Sequence, residues 1–473
     1  MPRRPRHIVI VGGGFSGAAA ALHLSRRAPE PIRISVIEPR PELGMGVAHG
    51  TTEIHNRLNG TDAIHSPYPE APHDFAEWMQ RSGELAADPA ARVASGLIFP
   101  RRGAFGRYMA AEMARHAAHN PSGSRLEHVA DVAVRLIRER DGVRVVLRGG
   151  GEIQADHAIL ALGWNAVATP RELAGLAGQP GWLANPWHTA GLDGLAPQAP
   201  VLLVGTGLTA SDTYAALVAR GHQGPVVALS RRGMRPASQN PHRSTRSIWD
   251  RVQDPDPAIL RRMAQPATAR AAMHQLRQQF RWAEAQGLTW HTPFDELRDA
   301  VGLFWPDWPL AEKRRYLRHA KPWYDTFRFR NPPQTEAIVD AGVASGHLQF
   351  VAGRLREAQA STGELRVRYQ PRQGGDARTL TVAAVVNCTG PSPRPSQSDN
   401  PFWRQVLADG VGRDCPSGLG VHVDAAGCLI SATGVADPSI RVIGPPTLGQ
   451  FGEATAVPYI VCQILPLLGA WFR

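Results

Sequence analysis

Apolar residues in this chain come in short runs broken by glycine, and the runs alternate with helical stretches in an order that occurs twice. Residues 7–11 (HIVIV) are a β-branched run of the length expected for a strand buried on both faces. GGGFSG follows at once, then an alanine-rich helical stretch through Leu24, then a second strand over residues 32–37 (IRISVI) with Glu38 at its end. The order restarts at Val201. VLLVG predicts a strand, TGLTASD opens a helix through Leu217, and residues 226–229 predict a second strand closed by Ser230, Arg231 and Arg232. Each unit is followed by strand-rich sequence ending in a small residue and glycine, HAILALG at Gly163 and AAVVNCTG at Gly390. Between them, over about 240–340, the pattern turns helical and rich in Trp and Arg. The whole predicts an α/β protein with two tandem dinucleotide-binding (Rossmann-like) domains and a helix-leaning insertion. Residues 1–168 and 391–473 read as the first domain, and 169–390 as the second, with the insertion inside it.

Smaller signals fill the gaps. Asp74 caps a predicted helix in DFAEWMQ, and FPRRGAFGRY leads into another, with Arg101, Arg102 and Arg107 as cations that could meet phosphate or a substrate carboxylate. Pro170, Pro180 and Pro186 mark a linker. Near the end, Gly444 follows an apolar strand and precedes an apolar helix, as a segment closing over a cofactor would.

The glycine spacing carries the chemistry. Gly12, Gly14 and Gly17 fit G-x-G-x-x-G, where the first allows a tight turn, the second lets backbone approach a pyrophosphate and the third permits close helix–strand packing. Phe15 and Ser16 open the helix whose N–H groups face the phosphates, and Glu38 is placed to accept hydrogen bonds from ribose hydroxyls. Gly44 and Gly46 suit a loop wrapping the same cofactor. In the second unit Gly205 and Gly207 repeat the first two glycines, Thr209 follows, and Ala210 stands in the third position. Arg231 and Arg232 occupy the place of Glu38, where cations can bind a 2′-phosphate, which favours NADPH over NADH.

Composition narrows the class. At 473 residues, 43% hydrophobic and 20% charged, the chain predicts a folded protein of two or three domains. No run of about eighteen apolar residues offers a membrane span, and the basic MPRRPR start leads directly into the first strand, so a cytoplasmic location is expected. The net charge of +11 is dispersed, without a nucleic-acid motif, which points to anionic cofactors or substrates rather than nucleic acid. Cys388, Cys415, Cys428 and Cys462 form no C-x-x-C, and no metal-ligand spacing is present. Redox chemistry must then be carried by a bound cofactor.

GMGVAHGT with RLNG, FPRRGAFGRY, LLVGTGLTASD with LSRRG, RRYLRHAKPWYD, VVNCTGP and GEATAVPYI together resemble a bacterial group of single-component FAD-dependent monooxygenases that includes the FAD-dependent urate hydroxylase and nitrosuccinate synthase. The chain departs from the group's RHR-like run with Phe329 in RFR. The resemblance implies FAD at the N-terminal site, contacted by Gly12, Gly14, Phe15, Ser16, Gly17, Glu38, Gly46, Asn59, Val132, Gly163 and Gly444. It implies NADH or NADPH at Gly205, Gly207, Thr209, Ser230, Arg231, Arg232 and Gly390. It further implies that the nicotinamide reduces FAD and that one atom of O2 reaches a small substrate. The compact length leans towards urate, giving 5-hydroxyisourate. Arg318 and His319 are then the candidate clamp for the anion, beside Trp305, Trp308 and Trp323. Other readings are a flavin monooxygenase acting on the nitrogen of an amino acid such as aspartate, an NAD(P)H:acceptor oxidoreductase, and a nucleotide-sensing protein without catalysis.

Overall fold

The computed structural model describes residues 5–163, 167–240, 247–253, 262–361, 363–469 and 471. The N-terminal part supplies strands β1 (His7–Val11), β2 (Arg33–Ile37), β3 (Arg125–Val129), β4 (Ala133–Glu139), β5 (Gly142–Leu147), β6 (Glu152–Ala155) and β7 (His157–Leu160). The middle supplies β8 (Trp182–Leu183), β9 (Val201–Val204), β10 (Val226–Ser230), β11 (Leu348–Ser361), β12 (Glu364–Pro371), β13 (Arg378–Val382) and β14 (Ala384–Asn387), and the C-terminal part β15 (Cys428–Ile430) and β16 (Ala436–Val442).

Two large sheets form. The first runs β15-β16-β7-β1-β2-β3, and β1 pairs in parallel with both β2 and β7. All five residues of β1 are buried, which is why it reads as an unbroken apolar run rather than an alternating one. The second sheet runs β13-β12-β11-β10-β9-β14-β8, with β10 parallel to β9 and β11. Strands β4 to β6 form a separate antiparallel meander.

The repeat seen in the sequence is therefore a repeat of architecture: an α/β fold with two Rossmann-type units. The C-terminal strands return to the first sheet through β16, parallel to β7. The proline-rich linker does more than connect. It contributes β8, which pairs in parallel with β14 and makes the edge of the second sheet.

The insertion is helical where it is described: Ile248–Gln253, Ala269–Ala285, His291–Ala300, Leu310–His319, Lys321–Arg328 and Pro333–Ala344. It has its own apolar core, in which Phe294, Phe304, Trp305 and Trp308 are buried together with Leu276. Trp323, by contrast, is 46% exposed.

Two local expectations change. Asp74 does not cap its helix: it is the first helical residue of Asp74–Arg81, and its carboxylate accepts the Tyr108 hydroxyl. The three arginines of FPRRGAFGR each face a protein carboxylate, with Arg101 3.7 Å from Asp88, Arg102 2.8 Å from Asp212 and Arg107 2.5 Å from Glu84. Among the described residues, no helix is long and apolar enough to cross a membrane.

Candidate active site

The first glycine turn is built by steric exclusion. Gly12 has φ +100°, and a Cβ there would lie 2.7 Å from the Ala161 carbonyl oxygen at the end of β7. A Cβ on Gly17 would sit 1.9 Å from the Gly12 oxygen, so this position holds the helix against the turn that feeds it. The helix Phe15–Arg27 starts at Gly14 with no side-chain cap and no acid in its first turn. Its leading N–H groups and positive dipole end are thus available to an anion. Phe15 and Ser16 line the cleft there.

Glu38 is buried, accepts the Gly13 N–H at 3.0 Å, and receives Arg40 at 3.0 Å on its other oxygen. A carboxylate retains acceptor capacity beyond these bonds, so Glu38 still fits a ribose diol. The following loop folds back onto the turn. The Gly44 N–H donates to the Gly13 oxygen at 2.7 Å, and a Cβ on Gly46 would lie 3.1 Å from the Gly14 Cα. Gly46, Asn59, Val132 and Gly163 line the same cleft, whereas Gly17 and Gly444 lie behind it. Gly444 gives its N–H to the Gln463 side chain at 2.9 Å, and its missing Cβ leaves room for Ser16. An uncapped helix start, a side-chain-free approach and a buried acid together fit the pyrophosphate and ribose of FAD.

The second turn has the same plan with a different surround. Gly205 has φ +127°, and a Cβ there would lie 2.3 Å from the Cys388 oxygen. Gly207 starts the helix Leu208–Ala219, again without a side-chain cap or a first-turn acid, and nothing stands within 4 Å of where its Cβ would be. The Ser230 hydroxyl oxygen accepts from Thr206 Oγ1 at 2.9 Å and from the Gly233 N–H at 3.0 Å, which shapes the turn. That turn presents Arg231 and Arg232 to the cleft, and neither guanidinium has a protein partner among the described residues. Thr209 and Gly390 also line the cleft.

Between the two turns Arg102 pairs with Asp212 at 2.8 Å and lies 5.5 Å from the Trp187 ring. Burial raises the Asp212 carboxyl above its ordinary range despite Arg102.

The insertion forms the third wall of this cleft, which has a volume of about 2060 Å³. Arg318 lines its rim and is exposed, while His319, next in sequence and also exposed, is not among the lining residues. Of the pair expected as an anion clamp, only Arg318 is thus brought to the cleft, although both sit in the last turn of Leu310–His319. Trp308 and Trp323 do not line the cleft. Trp305 does, but its ring packs edge-on against Tyr316, 5.6 Å away at 72°.

Deeper in, the helix Lys321–Arg328 and the segment after the last strand, β16, make a corner. Arg328 Nε donates to Glu453 at 2.8 Å, and its side chain is 9% exposed. Its two Nη groups have no hydrogen-bond partner among the described residues, and the residue lines the cleft. Burial pushes the Glu453 carboxyl up, but Arg328 and bonds from Thr455 outweigh it and hold it ionised. Beside them, the Tyr324 hydroxyl is buried without a hydrogen-bond partner among the described residues. Burial raises its pKa, so it is a neutral donor.

Sequence reasoning missed this corner because Arg328 and Tyr324 lie on a short helix in a segment without a known spacing rule. The available signal was helical period: Lys321, Asp325 and Arg328 are three to four residues apart, on one face.

Comparison with known proteins agrees with the architecture. A family model described as FAD-NAD(P)-binding matches residues 9–165. No curated protein matches the chain. Among solved structures, an ornithine N-hydroxylase of Kutzneria sp. 744, with reduced FAD, NADP+ and L-ornithine, is similar at 14% identity with a TM-score of 0.64, covering 98% of each chain. An L-lysine 6-monooxygenase of Pseudomonas syringae is similar at 16% identity and 0.65, again over 98% of each chain. A thioredoxin reductase of Lactococcus lactis is similar at 12% identity and 0.52, covering 99% of this chain and 98% of its own. The N-terminal unit matches an FAD-NAD(P)-binding model, and nearly the whole chain shares its fold with these solved structures. The thioredoxin reductase has the same fold under a different name, so substrate and reaction have to be argued from the site.

Proposed function

We propose that this protein is an FAD- and NADPH-dependent monooxygenase that hydroxylates the amino nitrogen of an amino acid. Overall, the amine, O2, NADPH and a proton give the hydroxylamine, NADP+ and water. FAD, when bound, supplies the relay of two electrons from the nicotinamide to O2. The chain's own part is to hold both cofactors, keep water from the meeting point and orient the amine.

The observation that carries this reading is the corner of Arg328 and Tyr324. A guanidinium fork fixed through its Nε and a buried hydroxyl without a partner among the described residues match the two oxygens of a carboxylate. Leaving such a hydroxyl unmatched costs about 1–3 kcal/mol, and a bound carboxylate would offset that. The ornithine and lysine enzymes of the same fold, named for amino-acid substrates, support the class. Arg231 and Arg232 support NADPH.

The urate alternative asks for a flat slot with aromatic faces. The rings of this wall pack against one another instead: Tyr316 is edge-on to Trp305 and Trp308, at 72° and 73°.

The test is NADPH oxidation by the flavin-loaded protein against a panel of amino acids and urate, with the oxygenated product identified. An amino acid should accelerate oxidation and emerge as its hydroxylamine. Arg328→Met should raise the KM for that amino acid by about ten- to a hundredfold, the loss expected for a charge-assisted contact. If urate accelerates the reaction, is consumed, and no amine does so, the amino-acid reading falls and urate replaces it.

A further inference from the structure

A substrate amine is protonated in neutral water, and an ammonium has no lone pair with which to take oxygen. With an ordinary pKa near 10, roughly one molecule in a thousand is the free amine at pH 7. A site that oxidises nitrogen therefore gains much from a group that draws the proton away. We propose that Asp325 is that group: it receives the substrate's ammonium beside Arg328 and takes one proton from it. This rests on the amine-oxidising reading above.

The geometry supports it from one helix. Lys321, Tyr324, Asp325 and Arg328 all lie on Lys321–Arg328 and all line the cleft. Asp325 and Arg328 are spaced i, i+3, so their Cβ atoms stand about 5–6 Å apart. That is the reach of a carboxylate and a nearby ammonium on one small molecule. One carboxylate oxygen of Asp325 contacts the Lys321 Nζ, and its side chain is 35% exposed, so it is neither sealed in the core nor out in bulk water. Lys321 is itself 36% exposed and sits on a flexible stem. Its ammonium occupies the position that the substrate's ammonium would take.

The charged and titratable neighbours come from every side. Lys321 and Arg328 lie on the same helix, Glu453 faces Asp325 from the C-terminal segment, and Tyr316 faces it from Leu310–His319. Their net effect leaves the Asp325 carboxyl raised. Burial raises the Asp325 carboxyl, Lys321 opposes this, Glu453 adds to it and Arg328 opposes it. A raised carboxyl is a better proton acceptor, and the same burial disfavours the charged amine. The two pKa values move towards each other.

The transfer balances simply. One N–H bond of the ammonium breaks, an O–H bond forms on Asp325, and the electron pair remains on nitrogen, free to form the N–O bond. The proton leaves to water when product departs and Lys321 returns.

Asp325→Asn keeps the shape and removes the base. Its kcat/KM for the amino acid should fall about a hundredfold or more at pH 7, the range of general-base catalysis. The loss should shrink tenfold per pH unit as pH rises towards the amine's own pKa, where solvent delivers the free amine. Wild type should be much flatter over that range. Asp325→Glu should recover part of the rate, and bound-flavin absorbance reports that each variant is folded and loaded. If an amino acid is hydroxylated and Asp325→Asn matches wild type in rate and pH profile, the role of Asp325 is overturned while the function stands. If no amine is hydroxylated by wild type, both fall.

Discussion

The two glycine turns share their backbone plan and differ in what surrounds them. At the first, the loop carrying Gly44 and Gly46 folds onto Gly13 and Gly14, and Glu38 is buried with a bond to Gly13. At the second, nothing lies within 4 Å of the space beside Gly207, and the strand is followed by two arginines whose guanidinium groups have no partner among the described residues. An enclosed turn with an acid suits a cofactor that stays. An open turn with cations suits one that enters, reacts and leaves. The distinction between resident and passing nucleotide is thus written outside the G-x-G motif, in the loops and strand ends that pack around it.

The strongest test of the comparison is a single methyl group. Gly17→Ala places a Cβ 1.9 Å from the Gly12 oxygen, a backbone contact that no side-chain rotation relieves. Overpacking of this kind costs about 1–3 kcal/mol and occasionally more, and the moved turn should abolish FAD retention. The purified variant should lack flavin absorbance; full flavin content would show that the first turn does not need this closeness. Next in size is Arg231→Ala. Loss of a charge-assisted contact to the 2′-phosphate, about 1.5–3 kcal/mol, should weaken NADPH about ten- to a hundredfold and leave NADH nearly unchanged. Equal losses for both would show that the basic turn does not read the phosphate. The smallest effect is Ala210→Gly, the reverse change at the second turn. Ala210 is 2% exposed and already fits, so the variant should lose about 1 kcal/mol of helix stability and keep its KM for NADPH. A large KM increase would mean that the second turn is as tightly specified as the first.

The turns were legible because their rules are local. A β-branched run, glycines at fixed spacing and an acid or arginine at the next strand end are read within about forty residues. Sheet membership of the linker was not legible. Trp182 and Leu183 are only two residues, and their pairing with Val385 and Val386 depends on chain two hundred positions away. The third wall was harder still. Arg318 and His319 attract attention as adjacent basic residues, yet they occupy the last turn of Leu310–His319, where cations also favour the helix dipole. Arg328 and Tyr324 show their character only once Glu453, far along the chain, has engaged one nitrogen and left the rest.

Gly14 and Gly46 face each other across the first turn, each close to the other's Cα. Gly46 also has φ +57°, so a side chain there would be strained as well as crowded. Their contact makes the two positions inherit as one. A substitution at either narrows the gap that the other must keep open, and none at the second can restore it, because glycine has nothing left to remove. Among homologues, the pair should drift only when the loop carrying Gly46 changes length and the wall is rebuilt.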